Sequence, residues 1–379
     1  MSASQFKLCA RSDDLLLALR LDSGERPFYL SRSGVFLLHT ISAKPALALD
    51  DSILQTLDIA SDGDAVRPAE RCHEPQSTGT EHVELLRPLY ATRVFTMLAV
   101  TVPPLAVVGV MLLAWGGWMT SVDLALLGSM YVLTALGVTI GFHRLYTHKS
   151  FATRGPIAAF FAICGSMSAQ GPVIWWAAVH RAHHQHSDRE QDPHSPHAGR
   201  AAGWIGSVRG FLHAHAGWLF ADVRADLRRY VPDLLADATA VRINNAFPYI
   251  VVAGILLPGI VGGLITASWM GALLGTLWGG VVRIFVLHHV TWSINSVCHV
   301  WGAREYASGD HSRNNPIFGI LAFGEGWHNN HHAFPASARH GLRWWQLDMS
   351  WLIIRSLERI GLAKKVRLPS PERLAARRG

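Results

Sequence analysis

Two segments of the sequence repeat one arrangement of histidines, HRAHH at 180–184 and HNNHH at 328–332. Residues at i, i+3 and i+4 share one face of a helix, so each segment can direct two or three imidazoles toward one point. Imidazole nitrogen is a ligand for iron, zinc and copper. The two triplets therefore predict transition-metal binding. Their members are His180, His183, His184, His328, His331 and His332.

Two further segments extend this set of candidate ligands. HRLYTH contributes His143 and His148, whose five-residue spacing is typical of a helix end that runs into a turn. NSVCH places Asn295 and His299 about one helical turn apart. Because one ion takes about four to six ligands, nine histidines and one amide predict two ions.

Carboxylates are expected around this site rather than in it. EGWH contains Glu325-x-x-His328, an element of carboxylate di-iron bundles, but those need two such elements and further glutamates that this sequence lacks. Asp192 and Asp310 are candidates for orienting ligating imidazoles, which usually donate their second N–H to a carboxylate or carbonyl. The other histidines between residues 143 and 340 lack comparable spacing and are expected at the periphery or surface; they are His186, His194, His197, His213, His215, His288, His289, His311 and His340.

Four apolar stretches must position these ligands. Each is long enough to cross a bilayer, which requires about 20 residues. They cover 94–119, 122–142, 246–267 and 268–292. A fifth apolar segment, 155–179, is interpreted as an interfacial or re-entrant helix at the cytoplasmic surface. A fifth crossing would place HRAHH on the opposite side of the membrane from HRLYTH, and the metal site could not assemble.

The distribution of lysine and arginine predicts the orientation of the spans. The turns around 123 and 267–271 contain no basic residue, whereas basic residues flank the other ends of the spans. Both termini and the long polar segments are therefore expected in the cytoplasm. The sequence predicts an all-α membrane protein with four transmembrane helices in two hairpins, and a cytoplasmic helical cap that holds the histidines.

The composition agrees with a membrane protein and argues against nucleic-acid binding. Half of the 379 residues are apolar and 16% are charged, whereas a soluble domain has about a quarter charged residues. The formal charge of +7 suits an anionic bilayer surface, and the basic residues form no aromatic-studded patch. Four cysteines without CxxC spacing suggest no disulfide framework, and the N-terminus shows no signal-peptide pattern.

Five segments together resemble the integral-membrane fatty acid desaturases of the stearoyl, or delta-9, type. They are GFHRLYTHKSF, HRAHHQHSD, QDPHSP, NSVCHVWG and FGEGWHNNHHAFP. The resemblance covers about residues 88–365. It divides the chain into an N-terminal extension (1–86) of unassigned role, a desaturase domain (87–365) and a basic tail (366–379).

The resemblance implies a di-iron centre held by the nine histidines, with Asn295 reaching one iron through a water. The irons would activate dioxygen, and two hydrogens would leave adjacent methylenes of a fatty acyl chain to form a cis double bond, expected at delta-9. Two electrons per turnover would come from a separate donor, such as ferredoxin or a cytochrome b5-like protein, because no flavin or haem motif is present.

The resemblance also implies an acyl tunnel with polar and aromatic positions near a bend. The matching residues are Gln170, Trp176 and Thr291, although Trp176 is equally interpretable as an interfacial anchor. Tyr131 precedes His143 by 12 residues, about 18 Å along a helix, and is the candidate end of the tunnel.

The acyl carrier is expected to be a membrane lipid rather than coenzyme A. Acyl-CoA enzymes of this type carry a charged pair immediately before HRAHH, where this chain has Ala178 and Val179. The Ala- and Arg-rich composition suggests a bacterial inner membrane. Acyl length, electron donor and oligomeric state are left open by the sequence.

Two alternatives use the same residues differently. A hydroxylase, ketolase or alkane oxygenase would employ a similar pair of irons, but those families generally lack NSVCH together with GEGWHNNHH. A metal transporter would place its ligands midway along the spans, whereas these ligands lie at their predicted cytoplasmic ends. Two tightly held irons per chain would distinguish an oxygenase from a transporter with exchangeable zinc.

Overall fold

The computed structural model describes three short strands between residues 17 and 36, and residues 90–378 apart from 198–202 and 222–224. The chain divides into two compact units, Met1–His82 and Val83–Gly379. In the first unit, β1 (Leu17–Leu19), β2 (Phe28–Ser31) and β3 (Gly34–Phe36) form an antiparallel sheet in that order. Strands β2 and β3 lie in the segment FYLSRSGVFLLHTI, with Tyr29 opposite Phe36.

The second unit is mainly helical. Its helices are α1 (Tyr90–Trp115), α2 (Ser121–Leu136), α3 (Gly155–Ser166), α4 (Val173–His186), α5 (Trp204–His215), α6 (Leu227–Tyr230), α7 (Pro232–Leu235), α8 (Ala238–Asn245), α9 (Phe247–Thr266), α10 (Trp269–Gly275), α11 (Arg283–Ser296), α12 (Pro316–Leu321), α13 (His328–Ala333), α14 (Met349–Arg359) and α15 (Pro371–Ala376). β4 (Ala152–Thr153) pairs antiparallel with β5 (Ala363–Lys364). Two π-helices, Gly137–Thr147 and Thr276–Val282, continue α2 and α10, and a 3₁₀-helix, Val297–His299, follows α11.

Four helical segments of the described chain are long and apolar enough to cross a membrane, as predicted. They are Thr96–Leu113, Ser121–Thr147, Phe247–Thr266 and Trp269–His299, called the first to fourth spans below. Large side chains project outward from them, including Leu105, Leu112 and Leu264, each more than 70% exposed. Such apolar surface is stable against lipid and unstable against water. The protein is therefore an integral membrane protein.

The ambiguous segment 155–179 is not a fifth crossing. Its first part is α3, whose 12 residues extend only about 18 Å, well short of a hydrocarbon core of about 30 Å. The chain then turns, with Ala169 in a left-handed conformation (φ 60°), and continues as α4. Helix α4 carries the HRAHH histidines back along the second span.

Glycines allow α3 to lie directly against the second span. A Cβ atom at Gly137 would overlap the backbone nitrogen of Gly165, and one at Gly141 would lie 2.8 Å from the carbonyl oxygen of Phe161. Because 137 faces 165 and 141 faces 161, the two helices are antiparallel. The main buried apolar cluster lies here and includes Ile140, Phe142 and residues of α3 and α4.

The turn between α3 and α4 is fixed by a buried arginine of the fourth span. The Arg283 side chain is fully buried. Its guanidinium donates hydrogen bonds to the carbonyl oxygens of Met167 (2.8 Å), Gly254 (3.1 Å) and Gly279 (3.2 Å). Buried charge is tolerated only when its polar atoms are satisfied, and these bonds join α3, the third span and the fourth span at one point.

Candidate metal centre

Nine histidines converge in two groups inside the second unit. In each group, one nitrogen of every imidazole lies within 4.8 Å of the corresponding nitrogens of the others. The five-histidine cluster contains His143, His148, His180, His184 and His331. The four-histidine cluster contains His183, His299, His328 and His332. All nine histidines predicted from the sequence are therefore brought together.

Each histidine triplet is divided between the two clusters. From α4, His180 and His184 belong to the five-histidine cluster and His183 to the other. From α13, His331 belongs to the five-histidine cluster, whereas the i, i+4 pair 328 and 332 belongs to the four-histidine cluster. Each triplet was expected to direct two or three imidazoles toward one point. The structure gives two, because the i and i+4 imidazoles share one cluster and the third imidazole belongs to the neighbouring cluster.

A π-helix explains the spacing of His143 and His148. Five residues of an α-helix turn through about 500°, which would leave these side chains about 140° apart. The segment Gly137–Thr147 is instead a π-helix, and the amide of His148 donates to the carbonyl oxygen of His143 at 3.0 Å. In this i→i+5 arrangement the rings are neighbours, with centroids 4.8 Å apart. The predicted helix end is thus a π-helix that runs into a turn.

The spacing of the imidazole nitrogens fits ligands of a common transition-metal ion. In the five-histidine cluster, Nε2 of His331 lies 3.0 Å from Nε2 of His143 and 2.8 Å from Nε2 of His184. In the four-histidine cluster, the Nε2 atoms of His299 and His328 are 3.1 Å apart. Adjacent ligands of an octahedral ion with bonds of about 2.1 Å are about 3.0 Å apart. The donor set therefore fits two metal ions.

Carboxylates fix the orientation of four imidazoles by accepting from Nδ1. His183 donates to Asp192 at 2.9 Å, and His332 donates to Asp310 at 2.6 Å, as the sequence predicted for these two aspartates. His299 pairs with Asp188 at 3.0 Å, and His143 pairs with Glu325. A proton on Nδ1 leaves the lone pair on Nε2, which points toward the cluster.

Sequence analysis missed Asp188 and assigned no role to Glu325. Asp188 is two residues beyond HRAHHQH and has a left-handed backbone (φ 61°). Aspartate is among the non-glycine residues that adopt this conformation most readily, and its carboxylate reaches His299 and Ser195 rather than the preceding helix. The carboxylates are also unevenly distributed. In the four-histidine cluster three imidazoles pair with a carboxylate, whereas in the five-histidine cluster a single imidazole does.

The protonation states suit metal binding. Burial, reinforced by neighbouring imidazoles, lowers the pKa of five ligands outside the spans well below its ordinary value; these are His148, His180, His184, His328 and His331. Burial alone would raise the pKa of Asp188, Asp192 and Asp310, but bonds and charge from their histidine partners hold it below its usual range. Metal ligation requires neutral imidazoles, and ionised carboxylates orient them.

A largely apolar cavity of about 660 Å³ runs past both clusters. His143 and His180 of the five-histidine cluster and His328 of the four-histidine cluster form part of its wall. The cavity also contacts the first, second and fourth spans, α4 and the junction between α8 and α9. An apolar chain in this cavity would therefore lie against both metal positions.

Three of the four predicted tunnel residues line this cavity, and Asn295 lines it as well. Gln170 Nε2 donates to Thr291 Oγ1 at 3.0 Å, which joins the turn before α4 to the fourth span. The Trp176 indole stacks on the His180 ring with centroids 5.0 Å apart. Trp176 is therefore a wall of the cavity beside a metal ligand.

Tyr131 is not among the residues that line the cavity. Its hydroxyl donates to the carbonyl oxygen of Leu321 at 2.7 Å, and its ring packs edge-on against Phe323. The segment after α12 covers this part of the second span, so Ala322 reaches the cavity wall instead. From the second span, the structure brings Ala135, Val138 and Thr139 to the cavity.

The fold and the site define a membrane protein with two imidazole-rich clusters, each able to hold a metal ion, beside an apolar cavity. Residues 117–361 match the family model described as fatty acid desaturase, and the chain belongs to this family. The predicted resemblance is confirmed. The protein is an oxidoreductase of the desaturase class.

Curated relatives agree on the family but differ in their named substrates. The chain is 42% identical to the hex-5-enoyl-[acyl-carrier protein] acetylenase of Moorena producens, over 73% of this chain and 87% of the relative. It is 40% identical to the sn-1 stearoyl-lipid 9-desaturase of Anabaena variabilis, over 65% and 84%. It is also 42% identical to the icosanoyl-CoA 5-desaturase of Limnanthes douglasii, over 62% of each chain.

Proposed function

We propose that the protein uses two iron ions and dioxygen to introduce a cis double bond at the delta-9 position of a lipid-linked fatty acyl chain. The observation that carries this proposal is the cavity wall, where His143, His180 and His328 bring both histidine clusters to one apolar space. An acyl chain is the substrate class that fits such a space in a membrane protein. The delta-9 position is supported by the sequence motifs and by the name of the Anabaena relative.

The five- and four-histidine clusters would hold one iron each. When bound, the irons supply the oxidising power that activates dioxygen and removes two hydrogens from adjacent methylenes. The protein's own residues hold the substrate and exclude water. Gln170 and Thr291 brace the wall through their hydrogen bond, and Trp176 packs beside His180. Asn295, which lines the cavity, would bind one iron through a water.

The charge of the cavity favours a lipid over coenzyme A as the acyl carrier. Among the residues that the structure describes, no lysine or arginine lines the cavity. The phosphates of coenzyme A are normally bound by such side chains. Ala178 and Val179, which occupy the positions of the charged pair, are almost completely buried (0% and 4% exposed) and contribute no charge.

The metal centre would face the cytoplasm of a bacterial inner membrane. The neutral turns between the first and second spans and between the third and fourth spans support this orientation. Two electrons per turnover would come from a separate donor, such as ferredoxin or a cytochrome b5-like protein.

Fatty-acid methyl-ester profiling of a desaturase-deficient bacterial host tests the proposal. We expect new cis monounsaturated acids in membrane lipids, lost in His183→Ala and retained in the control His213→Ala, which removes a histidine outside both clusters. Hydroxylated products would move the assignment to a hydroxylase. The proposal is wrong if iron-loaded protein forms no unsaturated product when supplied with lipid, dioxygen and, in separate reactions, ferredoxin or cytochrome b5 with its reductase.

A further inference from the structure

We infer that Trp218 is a positioning residue that binds the carbonyl oxygen of the substrate's acyl group and so fixes where the chain lies along the irons. This inference rests on the proposed function and adds the residue that recognises the carboxyl end of the chain. Trp218 lies in the 3₁₀-helix Gly217–Phe220 after α5 and lines the same cavity as the clusters.

The Trp218 indole has an unused hydrogen-bond donor. The residue is only 8% exposed, and its Nε1 atom is buried without a hydrogen-bond partner in the described part of the chain. Buried donors are normally satisfied, because desolvation without a partner is costly. Since an indole N–H can only donate, the partner that fits this position is an acceptor atom of a ligand in the cavity.

The position of the ring is fixed by its neighbours. It stacks on Trp175, with centroids 6.2 Å apart and planes 6° apart, and His194 meets it edge-on at 5.2 Å. Both neighbours line the cavity. His194 is 3% exposed, and its Nδ1 atom also lacks a hydrogen-bond partner among the described residues, with Asp192 Oδ1 3.9 Å away. Two unused polar groups thus adjoin each other in a wall that is otherwise mainly apolar.

Two asparagines of the same cavity lie next to the start of the third span. Asn244 and Asn245 also line the cavity, and they end α8 directly before the third span begins at Phe247. Asn244 Oδ1 accepts from the amide of Ile174 at 3.2 Å, which leaves its two amide hydrogens available as donors. These donors stand in a cavity whose remaining wall, including residues of the first span, is mainly apolar, and such a cavity suits a molecule with one polar terminus.

A saturated acyl chain has acceptor atoms only at its carboxyl end. A donor-only indole therefore selects that end and sets its distance from the metal ligands. Because a delta position is counted from the carboxyl carbon, a fixed carbonyl would determine which methylenes reach the irons. Esters and thioesters share this carbonyl, so Trp218 acts on the acyl group whichever carrier is attached.

Matched ester and ether lipids test this role without requiring turnover. Purified full-length protein would be incubated with equal amounts of 1-stearoyl and 1-octadecyl glycerophospholipid, which differ in the carbonyl, and the retained lipid would be measured by mass spectrometry. We expect the wild-type protein to prefer the ester about threefold to tenfold, as one neutral hydrogen bond allows. Trp218→Phe should abolish this preference while retaining an aromatic ring, and Trp204→Phe, at a residue 76% exposed, should retain it.

The outcomes separate this inference from the proposed function. Equal retention of ester and ether by wild-type protein, or unchanged preference in Trp218→Phe, would overturn the role of Trp218. Equal weakening of both lipids with a lower melting temperature would assign Trp218 a structural role only. Ester preference without desaturation products would refute the proposed function and leave the carbonyl site standing. Stronger retention of stearoyl-CoA than of the lipid ester would overturn the lipid carrier and leave the test of the carbonyl site to the ester and ether pair.

Discussion

Replacing Asp188 by asparagine should weaken iron binding in the four-histidine cluster selectively. One Asp188 oxygen accepts from His299 Nδ1 at 3.0 Å and from the amide of His311 at 2.7 Å, while the other accepts from Ser195 Oγ at 2.7 Å. Asparagine can keep its oxygen toward His299 and turn its amide toward the Ser195 hydroxyl, which can accept. It also tolerates the left-handed backbone of this position. The variant therefore removes charge with little change of shape.

The size of the effect follows from the buried hydrogen bond. The Asp188 side chain is 4% exposed, so solvent screens its charge weakly. Hydrogen bonds to charged groups contribute about 1.5–3 kcal/mol and neutral ones about 0.5–1.5 kcal/mol. A loss of about 1.4 kcal/mol corresponds to about tenfold weaker binding of one ion, at the lower end of the effects known for residues that orient metal ligands.

Iron retention under chelator competition measures this effect. Purified protein would be dialysed against a chelator series, and iron per chain would be determined by mass spectrometry. Wild-type protein should hold two irons, whereas Asp188→Asn should release one of them at about tenfold lower chelator concentration. Asp226→Asn, at a partly exposed helix N-cap that belongs to neither histidine cluster, should match wild type. Simultaneous loss of both irons, or release at the wild-type concentration, would refute the reasoning.

Three further predictions concern packing, pH and product position. Gly137→Ala adds a methyl group that would overlap the backbone of Gly165, and it should lower the free energy of unfolding by about 1–3 kcal/mol. In the control Gly128→Ala, in the same span, the new methyl group meets nothing within 4 Å, so the melting temperature should not change. Iron-free protein should melt at lower temperature as pH falls from about 7.5 to about 5.5. Burial lowers the pKa of the imidazoles in the folded state, so below about pH 6.5 the unfolded state binds more protons than the folded state. An unchanged melting temperature across this range would contradict neutral buried ligands. Gln170→Ala removes the 3.0 Å hydrogen bond to Thr291 and should yield a mixture of double-bond positions, measured by gas chromatography–mass spectrometry. A single unchanged isomer would show that Gln170 does not position the acyl chain.

Several features of this protein could be predicted from local sequence patterns. The four spans follow from the length of the apolar stretches, because crossing a bilayer requires about 20 apolar residues whatever the packing. The nine histidines follow from residue type and helical spacing. Asp192 and Asp310 were predicted as partners because ligating imidazoles commonly require a second hydrogen-bond acceptor.

Packing between distant segments decided the rest. It separated each triplet into two clusters, since the direction in which His183 and His331 point depends on helices that are far apart in sequence. It also placed the segment after α12 over Tyr131, which spacing along one helix could not show. The amino-acid sequence thus determined which histidines could serve as metal ligands and which segments are apolar enough to lie in lipid, because both depend on local periodicity. Only the tertiary structure determined how the ligands are shared and which residues border the cavity, because both depend on distances between helices.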